Sequence, residues 1–67
     1  MQGKIKWFDL NKGFGIILAE DKNEYFVHIS QVNNKYPLKK DDVVTFKGTA
    51  SQKGFRAIMV KIAKSAD

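Results

Sequence analysis

Apolar residues in this chain come in short bursts, each stopped by turn-forming residues, and none sustains a helical period long enough to bury a helix. That spacing restricts the chain to short strands. Lys4-Ile5-Lys6-Trp7-Phe8 opens as a strand, and Asn11-Lys12-Gly13 reads as a tight hairpin turn with Gly13 free to take positive φ. Phe14 to Ala19 forms a second strand and Glu20 to Asn23 a polar turn. Tyr25 to Ile29, almost entirely aromatic and β-branched, forms a third strand. From Ser30 to Asp42 the pattern lapses around Asn33-Asn34-Lys35-Tyr36-Pro37, and a lapse this long in a small chain predicts a functional or mobile segment. Val43 to Phe46 restores β character, and Ser51-Gln52-Lys53-Gly54 turns. Phe55 to Ile62 alternates again, and Ala63 to Asp67 reads as a frayed end. A helix over Ile58 to Ala63 is rejected because the segment is short and no N-cap residue opens it. Five strands without a helix predict an all-β barrel or sandwich, one domain over residues 1–67.

The core has to hold this fold unaided. There is no cysteine and a single histidine, which excludes disulfides, thiolate catalysis and a Cys/His zinc site, so no metal and no cofactor are expected.

Strand side chains alternate between two faces. In the second strand Phe14, Ile16 and Leu18 share one face, and Gly15, Ile17 and Ala19 share the other. In the third, Phe26 and His28 oppose Tyr25, Val27 and Ile29. With Ile5, Ile17 and Val27 inward, the outer face collects Phe14, Ile16, Phe26 and His28, joined by Lys4 and Lys6. Exposed aromatics mark a binding surface. Bases of single-stranded nucleic acid stack on such rings for about 1–3 kcal/mol each while lysines follow the phosphates. The competing reading, a core with both sheet faces covered, lacks a helix to do the covering.

Twelve Lys+Arg against seven Asp+Glu leave a net charge of +5, which favours polyanion partners, with a surface charged for solubility as the equally weighted plain alternative. No apolar run approaches the ~20 residues of a membrane span. The opening residues lead into no signal-peptide core, so no membrane association and a cytoplasmic location are expected.

Lys12-Gly13-Phe14-Gly15-Ile16-Ile17 resembles the first ribonucleoprotein motif of the cold-shock domain family, and Phe26-Val27-His28-Ile29-Ser30 resembles its second. Gly3-Lys4-Ile5-Lys6-Trp7-Phe8 is similar to the family's opening strand, and Lys53-Gly54 with Ala57 to its closing turn and strand. The similarity runs from about Gly3 to Val60 with the motifs in order. It implies a five-stranded antiparallel barrel of the oligonucleotide/oligosaccharide-binding type that holds single-stranded RNA or DNA. It also implies work as an RNA chaperone or a regulator of transcription and translation, often in cold adaptation. By the same resemblance Trp7, Phe14, Phe26 and His28 match the stacking platform and Phe8 an aromatic beside it. Lys6 and Lys12 match basic contacts, Tyr36 a loop aromatic and Lys53 a basic turn residue. The chain departs from the pattern at Ile16 and Ile29, where aromatics are usual. Asp9 stands in place of Asn, and Phe55 and Arg56 in place of Pro and a small or polar residue. Ile16, Phe55 and Arg56 complete the candidate binding set.

Each candidate has a plainer alternative. Trp7 could be core and Phe8 could fold under the sheet edge; a strand histidine is often only a polar surface residue, and single lysines are often solvated charges. His28 and Ser30, two apart on one strand face, could form a nominal triad with Asp9 or Glu24. No nucleophile elbow or oxyanion-type turn accompanies them, and no catalytic residue is assigned. Lys-Gly-Phe-Gly lacks the spacing and following helix of a phosphate-binding loop. Two functions remain: a single-stranded nucleic-acid binder of low sequence selectivity, or a protein-interaction barrel that uses the aromatic face. A monomer is expected, with dimerisation through strand edges left open.

Overall fold

A computed structural model describes residues 1–33 and 38–65. Its strands are β1 (Gln2–Asp9), β2 (Phe14–Ala19), β3 (Glu24–His28), β4 (Val43–Ser51) and β5 (Gly54–Lys64), with a 3-10 turn at Ile29–Gln31 between β3 and β4. β2 has the predicted bounds. β4 and β5 run further than their apolar residues alone suggested, because the ladder between them recruits Gly48, Thr49 and Ala50 opposite Ala57, Arg56 and Phe55. Ala63 and Lys64, expected to fray, lie in β5, and Lys64 stands opposite Val43. Ile29 opens the 3-10 turn instead of ending a strand; its N–H donates to the carbonyl of Gly13, 2.8 Å away.

The five strands form one sheet closed on itself in the order β1-β2-β3-β5-β4, with β4 returning to β1. An antiparallel barrel was expected, and four of the five junctions are antiparallel. The fifth, β3 to β5, is parallel through Phe26 and Arg56. Parity requires this parallel junction, since an odd number of strands in a ring cannot alternate direction at every junction.

Ile5, Ile17, Val27, Leu38, Val44 and Val60 fill the interior, with the Tyr25 and Phe46 rings 5.1 Å apart between centroids and tilted by 58°. The Tyr25 ring is buried while its hydroxyl donates to Asp21 Oδ2 at 2.7 Å. The Asn23 backbone N–H and this hydroxyl hold the Asp21 carboxyl below the usual range, and the hydrogen bond to Asp21 pushes the Tyr25 phenol up. The turn between β2 and β3 is thereby tied to the core.

Two irregularities decide which side chains face out. In β1 the register slips between Ile5 and Trp7, so that Lys6 is an extra residue against β2. Strict alternation from Ile5 would turn Trp7 inward and Phe8 outward; the bulge reverses both. In β5 the stretch from Ile58 to Lys61 opposes Lys47 to Thr45, and Met59 absorbs the extra residue at φ 53°.

Candidate nucleic-acid interface

The outer face is built by register. Residues directly opposite in an antiparallel ladder share a face. Trp7 stands opposite Ile16 and Ile16 opposite Phe26; Asp9 stands opposite Phe14 and Phe14 opposite His28. Ile16 therefore lies directly between Trp7 and Phe26, and the ring contacts run diagonally around it. Trp7 and Phe14 meet edge-to-face at 5.9 Å between centroids, and Phe14 and Phe26 lie 5.5 Å apart, tilted by 30°. Trp7 is 42% exposed, and Phe14, Ile16 and Phe26 are half-buried. These rings form one continuous row across β1, β2 and β3.

Gly15 lies beneath this row. A Cβ there would come within 2.3 Å of the Trp7 carbonyl oxygen and 2.8 Å of the Phe8 backbone, so only glycine lets β1 and β2 close. Phe8 lies over Gly15 and packs against the core. It is thus displaced from the predicted face by the Lys6 bulge. Gly13 takes φ 78° as the turn reading required, and its N–H donates to the Asp9 carbonyl at 2.7 Å. Asp9 Oδ1 accepts from the backbone N–H groups of Asn11 and Lys12, which fixes the loop carrying the Lys12 side chain.

Lys4, Lys6, Lys12, Lys53 and Arg56 are all exposed. Lys6 is ion-paired with Glu24, an acidic residue on the basic face that the sequence raised only for a nominal triad. The pair reaches from β1 to β3, across the intervening strand β2. Arg56, opposite Phe26 in the parallel junction, holds its guanidinium 5.9 Å from the Phe26 ring centroid. Phe55 points the other way along β5, onto Tyr25 at 5.2 Å between centroids, and is 41% exposed. It lies away from the Trp7–Phe26 row yet borders a recess with Phe26, Lys53 and Arg56. Tyr36 lies outside the described residues.

His28 caps the 3-10 turn: its Nδ1 accepts the Ser30 backbone N–H at 3.1 Å and lies 2.9 Å from Ser30 Oγ. The nominal triad does not assemble. Glu24 is paired with Lys6, and Asp9 Oδ1 is occupied by two backbone donors. Beside His28 an open groove of about 330 Å³ runs along Phe26, Ser30, Gln31, Arg56 and Ile58. Ser30 and Gln31 entered the groove unforeseen, because the turn that carries them has no apolar period to read.

The profile of the 'Cold-shock' DNA-binding domain matches residues 1–63. The chain belongs to the cold-shock domain family. It is similar to the cold shock-like protein of Thermotoga maritima, 38% identical over 96% of this chain and 100% of that protein. Cold shock protein 1 of Lactiplantibacillus plantarum is 40% identical over 87% of this chain and 91% of its own length. Cold shock protein CspA of Staphylococcus aureus is 38% identical over 88% and 92%. Among solved structures, drosophila Unr CSD456 superposes with a TM-score of 0.73 at 25% identity, covering 91% of this chain; this chain spans 25% of that longer one. The family is a nucleic-acid-binding one, and the sheet closed in a ring agrees with its fold.

Proposed function

We propose that this protein binds single-stranded RNA or DNA with low sequence selectivity and acts as an RNA chaperone or a regulator of transcription or translation by competing with base pairing. The observation that carries the reading is the row Trp7–Phe14–Phe26, on a face that also carries exposed lysines. Bases stack on Trp7, Phe14 and Phe26, His28 borders the row, Arg56 stands beside Phe26, and Lys4, Lys6, Lys12 and Lys53 follow the phosphates. Stacking holds bases apart and needs no energy source, so neither cofactor nor catalytic residue enters the mechanism. One domain acting as a monomer in the cytoplasm is sufficient, since ring closure leaves little free strand edge for a partner.

The test is a titration with oligo-dT or oligo-U followed by Trp7 fluorescence. Saturable quenching is expected, and Phe14→Ala and Phe26→Ala should each weaken binding by about 1–3 kcal/mol with folding little changed. With three to five cations on phosphates, log K against log salt should fall with a slope of about −2 to −3.5. No saturable quenching would leave the aromatic face to a protein partner, and a slope near zero would remove the phosphate role.

A further inference from the structure

Arg56 stands where β3 meets β5, and its side chain borders two recesses at once. One is the groove with Phe26, His28, Ser30 and Gln31; the other holds Phe26, Ser51, Lys53 and Phe55. Phe26 borders both, so a base laid on this ring has Arg56 beside it. At 5.9 Å from the centroid the guanidinium sits at the outer limit of a cation–π contact. It lies over the ring at that distance, so a base that takes its place on Phe26 meets the displaced guanidinium at the base edge. Among the described residues Arg56 makes no ion pair, so its fork of N–H donors is unspent.

The same groove holds a further donor. His28 Nδ1 accepts the Ser30 backbone N–H, so in the neutral ring the proton sits on Nε2. The groove thus sets a guanidinium and an imidazole N–H around one ring. The base whose edge matches a forked donor is guanine, with acceptors O6 and N7 side by side. Adenine puts an amino group next to N7, cytosine also presents an amino group, and thymine or uracil offers a single carbonyl there.

We infer that the groove beside Phe26 is a guanine-selective subsite, in which Arg56 reads O6 and N7 of a base stacked on Phe26 and His28 lines the same groove. This rests on the single-strand reading above and adds to it a base preference set by one side chain. The lysines follow the phosphates as before, and the preference is confined to one position along the strand.

The experiment uses the whole chain and a set of oligo-dT strands of one length, each carrying one guanine at a different position. Matched strands carry adenine or 7-deazaguanine there. Midpoints of Trp7 quenching are compared, not amplitudes, at one salt concentration. Guanine at one register should tighten binding about fivefold to tenfold, the low end of a bidentate contact's range because Arg56 is exposed. Adenine should give no gain, and 7-deazaguanine, lacking N7, should lose most of it. Arg56→Gln should abolish the preference while still binding oligo-dT. Arg56→Lys should abolish it while keeping the salt slope of the parent, since an ammonium retains the charge but not the fork. Urea melts of both variants check that the fold is intact. Saturable binding of every strand with no guanine preference overturns the inference and leaves the stacking reading standing. A preference that survives in both variants does the same. No saturable quenching with any strand overturns both together.

Discussion

Ile16 shows how far one side chain shapes the surface. It occupies the position directly between Trp7 and Phe26, so the rings touch only along the diagonals through Phe14. An isoleucine there covers apolar base surface but has no π-face. Ile16→Phe should tighten oligo-dT binding by about 1 kcal/mol, the low end of the stacking range, since the isoleucine already supplies some contact. If affinity is unchanged while a urea melt shows destabilisation of more than ~1 kcal/mol, the position is overpacked and the platform has to be redrawn. Glu24 acts in the opposite sense, holding Lys6 in an exposed ion pair on the face that phosphates would approach. An exposed pair contributes at most ~1 kcal/mol to the fold, so Glu24→Gln should leave stability within about that margin. It should free one cation for phosphate and steepen the salt slope by about 0.7. An unchanged slope would mean that Lys6 already leaves Glu24 when nucleic acid binds. The face assignments of Phe14, Ile16, Phe26 and His28 were legible in the sequence because side-chain direction in a regular strand depends only on local parity. Glu24 was not, because its partner lies on another strand.

At the scale of elements, bulges do what alternation cannot. The extra residue at Lys6 turns Trp7 out and Phe8 in, so a strand that reads as strictly alternating presents its tryptophan on the same side as Lys6. Of the two register shifts in the β4–β5 ladder, the one between Thr45 and Lys47 leaves Met59 extra, 66% exposed and at φ 53° in the left-handed region that favours glycine. That conformation costs a side-chain-bearing residue about 1–2 kcal/mol, whereas glycine loses roughly 0.5–1 kcal/mol in chain entropy. Met59→Gly should therefore raise the unfolding free energy by up to ~1 kcal/mol in urea melts, and Met59→Val should lower it by about 1 kcal/mol or more. A valine variant as stable as the glycine one would show that the bulge moves elsewhere at little cost. Neither bulge has a local signature in the sequence, since each exists only against a partner strand of fixed register.

For the whole molecule, the closed sheet separates stability from binding. Val27 is fully buried, and the next residues along β3 on either side, Phe26 and His28, face the other way. Val27→Ala should cost about 2 kcal/mol or more in a urea melt yet leave the oligonucleotide affinity of the folded protein little changed. A stable variant that fails to bind would invert the assignment of faces.

What the sequence alone determined is local. Strand positions, the Gly13 turn, the inward set Ile5, Ile17 and Val27, the basic surplus and the family motifs all follow from residue type and spacing over a few positions. Tertiary structure decided what depends on partners far along the chain: the outward turn of Trp7, the Lys6–Glu24 pair, and Arg56 beside Phe26. For Trp7 and the Lys6–Glu24 pair the physical reason is register against neighbouring strands, and for Arg56 it is ring closure. A five-strand ring requires one parallel junction, and the strands that meet there bring together side chains that no local period relates.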